Sequence, residues 1–297
     1  MSDDILKRAM AGVHAIDVRT RGSLDAPLAG AHRSRHVGQG LEFDQVREYV
    51  VGDDVRAIDW NVTARSGRTH VKQYHEDREL TVVLVVDASA SMDFGAGEHP
   101  RREIAAEIAC LLALSAGRAG DRVAAVVHTD RIEAVVPPGT GRTHALRIAH
   151  AVLSCEPQGS GTDLIQGLEA ARRMVRRGAV TFVIGDFTRL DEDVLDSLGL
   201  LAARGDVAAL QLYDPREREL PDVGRLVVED RETGEVIELD TGSADVRRRF
   251  AGAAAQRRQE LRHALLSRGV DHLELDDSRP YLAPLVGFMQ RRGRGAA

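Results

Sequence analysis

The sequence has little cysteine, few aromatic residues and no long uncharged apolar run. Its only two cysteines, Cys110 and Cys155, both lie in apolar helical patterns. We therefore expect buried free thiols and a reducing compartment rather than a disulfide. No cysteine–histidine spacing is typical of zinc binding. No apolar stretch reaches the roughly 20 residues that cross a bilayer, and the acidic start at residues 1–5 lacks the apolar core of a signal peptide. These absences predict a cytoplasmic protein without membrane insertion.

Excess positive charge is absent as well. The formal net charge of −6 argues against a nucleic-acid partner held through phosphate contacts. The sequence contains neither the G-x-x-x-x-G-K-[ST] pattern of nucleotide-hydrolysing P-loops nor the G-x-S-x-G elbow of α/β-hydrolases. Its hydrophobic content of 43% is ordinary for a globular protein, and 297 residues are enough for two domains.

What the sequence does contain is an apolar strand that ends in oxygen-bearing side chains. The β-branched run at 81–86 is typical of a strand buried on both faces of a parallel sheet. Asp87, Ser89 and Ser91 follow it at alternating positions. Carboxylate and hydroxyl oxygens are the ligands of a hard divalent cation such as Mg²⁺. This string therefore indicates one part of a metal site.

Two later segments carry side chains of the same kind. A glycine-rich loop leads to Thr162, where an apolar helical pattern begins, and a second apolar run at 179–185 ends at Asp186. Functional residues of open parallel α/β sheets gather at the carboxyl ends of the strands, so Asp87 and Asp186 are expected at one edge of the sheet. The alternative interpretation is that Thr162 and Ser89 only cap the helices that follow them.

The arrangement of strand and helix patterns predicts the fold and the domains. Strand-length apolar runs alternate with helical patterns over 77–277, which predicts an α/β domain with a doubly wound, largely parallel sheet. Turn residues and a strand-like alternation predict a smaller β-rich unit over 35–76, with the only tryptophan, Trp60, anchoring its packing. A helix and loop are predicted over 1–34, and a helix and tail over 278–297.

Two family resemblances follow from these residues. The segment from 81 to 213, with its D-x-S-x-S pattern starting at Asp87, resembles a von Willebrand factor A domain with its metal-ion-dependent adhesion site (MIDAS). The segments ahead of it, 52–60 (GDDVRAIDW), 63–65 (TAR) and 71–74 (VKQY), are similar to the bacterial domain of unknown function 58 family. That family joins such a β-rich unit to an A-type domain.

The resemblance implies a metal site and a partner. The positions that match the A-type metal ligands are Asp87, Ser89, Ser91, Thr162 and Asp186. They would hold Mg²⁺, or Mn²⁺ or Ca²⁺, and leave one coordination position for a carboxylate of another protein. Members of the family are often encoded beside MoxR-type AAA+ ATPases. The resemblance therefore implies a non-enzymatic adaptor that binds such an ATPase or its client, in the assembly or maturation of other proteins.

Two other functions remain open from the residues. An aspartate directly after a strand is also the nucleophile of haloacid-dehalogenase-type phosphotransferases, so a metal-dependent phosphoester hydrolase using Asp87 is one alternative. Ser89 stands where those enzymes have a second carboxylate, and a serine cannot act as an acid–base group at neutral pH. A structural scaffold with a vacant site is the other alternative. The segment 52–60 has either an internal structural role or a partner contact.

Overall fold

The computed structural model describes residues 42–50, 55, 58–75, 81–95, 97, 99–118, 120–159, 161–175, 178–188, 190–229 and 236–295. These residues fall into two compact units, a smaller one within 42–75 and a larger one within 81–295. The helix and loop predicted over 1–34 lie outside the described residues.

The smaller unit contains an antiparallel strand pair and one helix. Strand β1 (Glu42–Glu48) pairs with strand β2 (His70–His75), and helix α1 (Trp60–Ser66) lies between them in the chain. The strand pair agrees with the β-rich pattern of this segment. The helix is missing from the sequence-based prediction because seven residues make too few turns to show a helical periodicity.

Capping residues define the start and the end of helix α1. The Oδ1 atom of Asp59 accepts hydrogen bonds from the N–H groups of Asn61 at 2.9 Å and Val62 at 3.2 Å, which caps the first turn. Gly67 ends the helix with a φ of 71°, a conformation that favours glycine. The prediction that Trp60 anchors the packing is wrong, because its side chain is at the first helical position and is 69% exposed.

A six-stranded sheet forms the centre of the larger unit. In spatial order its strands are β10 (Val270–Asp276), β7 (Asp206–Tyr213), β6 (Val180–Gly185), β3 (Thr81–Asp87), β4 (Arg122–His128) and β5 (Ile132–Gly139). All neighbouring strands are parallel except the edge pair of β4 and β5. The predicted doubly wound, largely parallel sheet is therefore confirmed. The chain winds outward from β3 to β5 and then returns to β6, so its direction reverses between β3 and β6.

Six helices and a hairpin complete the described part of this unit. They are α2 (Arg101–Arg118), α3 (Gly141–Leu153), α4 (Leu164–Met174), α5 (Glu192–Ala202), the hairpin of β8 (Arg225–Glu229) and β9 (Val236–Asp240), α6 (Ala244–Ser267) and α7 (Leu282–Gly295). None of the helices in the described ranges is both long and apolar enough to cross a membrane.

The helices form two hydrophobic clusters, one on each face of the sheet. The first cluster contains residues of α2, α3 and α7, and the second contains residues of α4, α5 and α6. Along β3, Leu84 belongs to the first cluster and Val85 to the second, so the apolar run is buried on both faces. Cys110 is buried in α2 and Cys155 is half-buried, and both are free thiols as predicted.

Candidate metal centre

The two aspartates of the predicted site leave the sheet at the same edge. Asp87 is the last residue of β3, and Asp186 directly follows β6, the parallel neighbour in which Ile184 pairs with Val86. Both side chains are buried, with 5% and 3% of their surface exposed. Their position is the point where the winding direction reverses, which is where open α/β sheets bind ligands.

A small cavity of about 10 Å³ lies between these strand ends. Asp87, Thr162 and Asp186 all belong to its lining, although they come from three separate parts of the chain. A space of this size holds about one water molecule, which excludes an organic group. The lining also includes apolar residues of β6 and α4, and it includes neither Ser89 nor Ser91.

The two serines lie at the start of the short 3-10 turn (Ala90–Asp93) that follows β3, Ser89 just before it and Ser91 within it. Ser89 is fully buried, and its Oγ is 3.1 Å from the Oγ of Ser91. The N–H of Ser89 donates to Asp87 Oδ1 at 2.8 Å, which fastens the carboxylate to the turn. Ser89 precedes the turn as its N-cap, but its hydroxyl makes no capping hydrogen bond. Its side chain therefore has no capping function.

Thr162 does not cap the helix after it either. The N-cap of α4 is Asp163, whose carboxylate accepts a hydrogen bond from the N–H of Ile165 at 3.0 Å. The interpretation of Thr162 and Ser89 as capping residues is therefore wrong. Thr162 instead lines the small cavity together with Asp87 and Asp186.

The loop that carries Thr162 is fastened to the turn between β4 and β5 by Glu133. Glu133 Oε1 accepts from Thr129 Oγ1 at 2.7 Å and from the N–H of Gly159 at 2.8 Å, while the Thr129 carbonyl accepts from the N–H of Asp163 at 2.9 Å. A Cβ on Gly159 would lie 2.2 Å from Thr129 Oγ1, so only glycine allows this approach. Burial alone would raise the pKa of Glu133, but these hydrogen bonds hold the pKa below its usual value.

Asp186 has one satisfied and one unsatisfied oxygen. Its Oδ1 accepts from the N–H and the hydroxyl of Thr188, both at 3.1 Å. Its Oδ2 is buried, and no described residue donates a hydrogen bond to it. Phe187, which lies between Asp186 and Thr188 in the chain, has a φ of 56°. This left-handed conformation costs a bulky residue about 1–3 kcal/mol. Unsatisfied buried oxygens and strained turns of this kind concentrate at functional sites.

A buried arginine lies behind Asp186. Arg101, the first residue of α2, is 1% exposed, and its Nη1 is 3.9 Å from Asp186 Oδ2. Its Nε donates to Asp277 Oδ2 at 3.0 Å, and its Nη2 donates to Glu217. One guanidinium group thus faces three carboxylates that come from the ends of different strands. The sequence analysis missed Arg101 because an arginine in a first helical turn is normally exposed.

The environment of Asp87 disfavours its charge. Burial raises the pKa of Asp87 and the Asp186 carboxylate adds to the rise, whereas His128 and the Ser89 N–H act in the opposite direction. His128 pairs with Asp87 in register and is fully buried; within the described part of the chain, its Nε2 has no hydrogen-bond partner. The sequence analysis also missed this histidine, although it directly follows an apolar strand pattern. A cation beside Asp87 would favour the ionised carboxylate.

The donor set fits a hard divalent cation. The described residues contain no cluster of three or more His, Cys, Asp or Glu side chains placed to hold a metal, so an ion here depends on hydroxyl ligands as well as on two carboxylates. Carboxylate and hydroxyl oxygens are ligand types that Mg²⁺ accepts, and Asp186 Oδ2 is a buried carboxylate oxygen to which no described residue donates.

Comparisons with known sequences identify a family and its mycobacterial relatives. Residues 45–260 match the family described as "Protein of unknown function DUF58". An uncharacterized protein of Mycobacterium tuberculosis (strain ATCC 25618 / H37Rv) is 36% identical over 288 residues, which cover 96% of this chain and 90% of that protein. An uncharacterized protein of Mycobacterium avium is 36% identical over 163 residues, covering 54% of this chain and 95% of that protein.

Solved structures with a similar fold include von Willebrand factor A domains. The conserved hypothetical protein BatB from Bacteroides thetaiotaomicron aligns with a TM-score of 0.48 and 17% identity, over 72% of this chain and 99% of that chain. A von Willebrand factor type A protein from Catenulispora acidiphila aligns with a TM-score of 0.40 and 14% identity, over 76% of this chain and 44% of that chain.

Proposed function

Since this chain belongs to the DUF58 family, whose description names no activity, we propose a function from the site itself. The protein is a divalent-metal-dependent module that binds another protein and catalyses no reaction. One observation carries this proposal. The buried Asp186 Oδ2, to which no described residue donates a hydrogen bond, belongs to a residue that lines the small cavity together with Asp87 and Thr162.

The residues proposed to hold the ion are Asp87, Ser89, Ser91, Thr162 and Asp186. When bound, the ion supplies positive charge and an open coordination position for an acidic side chain of a partner. The chain itself does the positioning: the Ser89 N–H orients Asp87, Thr188 orients Asp186, and Glu133 holds the loop of Thr162. These hydrogen bonds fix the orientation of the oxygens that would contact the ion.

The partner that we propose is a MoxR-type AAA+ ATPase or a client of that ATPase. The support for this partner is the family resemblance alone, and the support for the mode of contact is the donor chemistry of the site. An acidic side chain at a partly dehydrated ion makes a charge-assisted contact, which is strong where water is excluded.

Calorimetric titration with Mg²⁺ or Mn²⁺ tests the site. Asp87→Asn keeps the size of the side chain but removes its charge, and Thr162→Ala removes one hydroxyl; both variants should lose divalent binding while remaining folded. Thr140→Ala is the matched control, because Thr140 also precedes a helix and its side chain makes no capping hydrogen bond. Unchanged affinity in Asp87→Asn would disprove the metal assignment.

A binding assay with the purified ATPase tests the partner. The complex should dissociate with EDTA and weaken in Ser89→Ala, whereas added salt should have a smaller effect because screening acts mainly on exposed, separated charges. A complex that survives both changes would rule out this site as the docking surface. Metal-dependent turnover of a phosphoester would instead favour the hydrolase alternative, and no response to metal would favour the scaffold.

A further inference from the structure

A second, larger cavity opens beside the metal centre. This cleft has a volume of about 560 Å³ and is lined by the ends of β6 and β7, the segment leading into α5, and one face of α6. Asp186, Phe187 and Thr188 line both the cleft and the small cavity of the metal centre. The volume lies within the range of cavities that enclose a ligand, so a group bound at the metal centre can extend into the cleft.

The cleft has an apolar wall on α6. Phe250, Ala254, Leu261 and Ala264 recur at helical spacing and line it together. Among the described residues, Leu261 and Ala264 pack against the second hydrophobic cluster, whereas Phe250 packs into neither cluster and is half-buried. Phe250 is therefore an apolar surface that the core of the larger unit does not use.

The same helix is strongly basic in a chain of negative net charge. Helix α6 contains six arginines and two acidic residues, while the whole chain has a formal charge of −6. Arg257, which is exposed, and Arg258 line the cleft. Arg258 Nε donates to both oxygens of Glu274 at 2.8 and 2.9 Å, and Arg218 shares the same carboxylate at 3.2 Å. Two guanidinium groups thus compete for one glutamate.

The lining contains as many acidic residues as arginines, three of each. Asp186 and Glu217 both face the buried guanidinium of Arg101. Glu260 is the remaining acidic residue of the lining, and it accepts a hydrogen bond from Gln256 at 2.8 Å. The lining therefore has no excess of positive charge. Within the described part of the chain, the exposed Arg257 has no carboxylate partner, and the α6 wall is apolar.

We infer that the cleft binds an acidic peptide segment of a partner protein, with a carboxylate at the metal centre and a neighbouring apolar side chain against Phe250. This inference rests on the proposed function and specifies the sequence that the partner must present. The basic residues of α6, including Arg257, attract further acidic residues of that segment. The apolar wall favours a peptide over a nucleic acid.

Fluorescence anisotropy with short labelled peptides tests the inference in Mg²⁺ buffer. The probe is a fluorescein-labelled Gly-Leu-Asp-Leu-Gly peptide, compared with Gly-Gly-Asp-Gly-Gly and with Gly-Leu-Asn-Leu-Gly. Removing the leucines should weaken binding about tenfold or more, because burying one such side chain contributes about 1.5–3 kcal/mol. Phe250→Ala should weaken the leucine peptide more than the glycine peptide, since it removes the surface that the leucine contacts.

Charge reversal on α6 has a matched control. Arg257→Glu in the cleft lining should weaken binding of a labelled Gly-Leu-Asp-Leu-Glu peptide, whose glutamate supplies the further acidic residue, about fivefold. Arg249→Glu makes the same change on the same helix outside the lining, where Arg249 is 82% exposed and paired with Asp245 at 2.7 Å, and should change binding less than twofold. Equal losses in the two variants would indicate general electrostatic attraction and overturn the inference.

The outcomes separate the cleft from the metal centre. One outcome is that EDTA, or replacing the aspartate of the peptide with asparagine, abolishes binding while the leucine and glycine peptides bind equally well. In that case the proposed function holds and the cleft inference is wrong. If Phe250→Ala and Arg257→Glu reduce binding that EDTA does not affect, the cleft binds peptide and the proposed metal dependence fails. Tighter binding of a labelled oligonucleotide than of the leucine peptide, reduced by Arg257→Glu, would replace the peptide with a nucleic acid and overturn the inference.

Discussion

Replacing Arg101 with methionine should destabilise the larger unit far more than an ordinary arginine substitution. The Arg101 guanidinium is 1% exposed and faces Asp186, Glu217 and Asp277. Methionine fills a similar volume, so the variant leaves little cavity but removes the charge that compensates these carboxylates. Removing one partner of a buried ion pair costs about 3–5 kcal/mol, because the remaining charge stays buried without compensation.

The neighbouring residue supplies the control for this variant. Arg102 lies in the same helix and pairs with Asp93 at 3.0 Å, but the two side chains are 31% and 39% exposed. Arg102→Met should therefore cost only about 0–1 kcal/mol. Urea denaturation followed by far-UV circular dichroism measures both free energies of unfolding. Tryptophan fluorescence is unsuitable, because the only tryptophan, Trp60, lies in the smaller unit.

The pH dependence identifies the cause of the loss. Burial raises the pKa of Glu217 and the Arg101 guanidinium opposes this rise, so Arg101→Met should raise the pKa of Glu217 further. A raised carboxyl pKa destabilises the protein above the unfolded-state pKa of about 4. The deficit of Arg101→Met should therefore be largest at neutral pH and shrink as the pH falls toward 4. A deficit below about 1 kcal/mol at pH 7, equal to that of Arg102→Met, would refute the reasoning.

Three further predictions concern Glu133 and Trp60. Glu133→Ala should weaken Mg²⁺ binding roughly tenfold in calorimetry without unfolding the protein, because it removes the oxygen that accepts hydrogen bonds from the loop of Thr162; wild-type affinity would contradict this. Hydrogen bonds lower the pKa of Glu133, so its ionised form stabilises the fold at pH values above the unfolded-state pKa of about 4.3. This stabilisation should be lost as the pH falls through the folded-state pKa. Urea denaturation at several pH values should show this loss in the wild-type protein but not in Glu133→Gln. Trp60 should show water-like emission and strong acrylamide quenching in the folded protein, as expected for a side chain that is 69% exposed, and a blue-shifted, protected emission would show that it is covered.

Local patterns in the sequence determined the elements of the larger unit and their order. The described helices and strands of 81–276 alternate as the patterns over 77–277 predict, and β3 follows the apolar run at 81–86 with one further residue, Asp87. These patterns are reliable because burial on one or two faces repeats every two residues in a strand and about every 3.6 in a helix. The alternation of strands and helices then left few possible sheet topologies, so the shared edge of Asp87 and Asp186 was also predictable.

Only the tertiary structure decided which polar side chains are buried and what they contact. Arg101 and Asp277 are 176 residues apart in sequence, and they meet only because α2 begins where β10 ends. Glu133 is an ordinary polar residue of an edge strand until the loop of Thr162 folds against it. Trp60 was expected inside the smaller unit from its residue type, yet it is exposed. The periodicity of apolar residues indicates which face of a helix or strand is buried. The burial of a single charged side chain depends instead on a few partners that are distant in sequence and converge only in the folded chain.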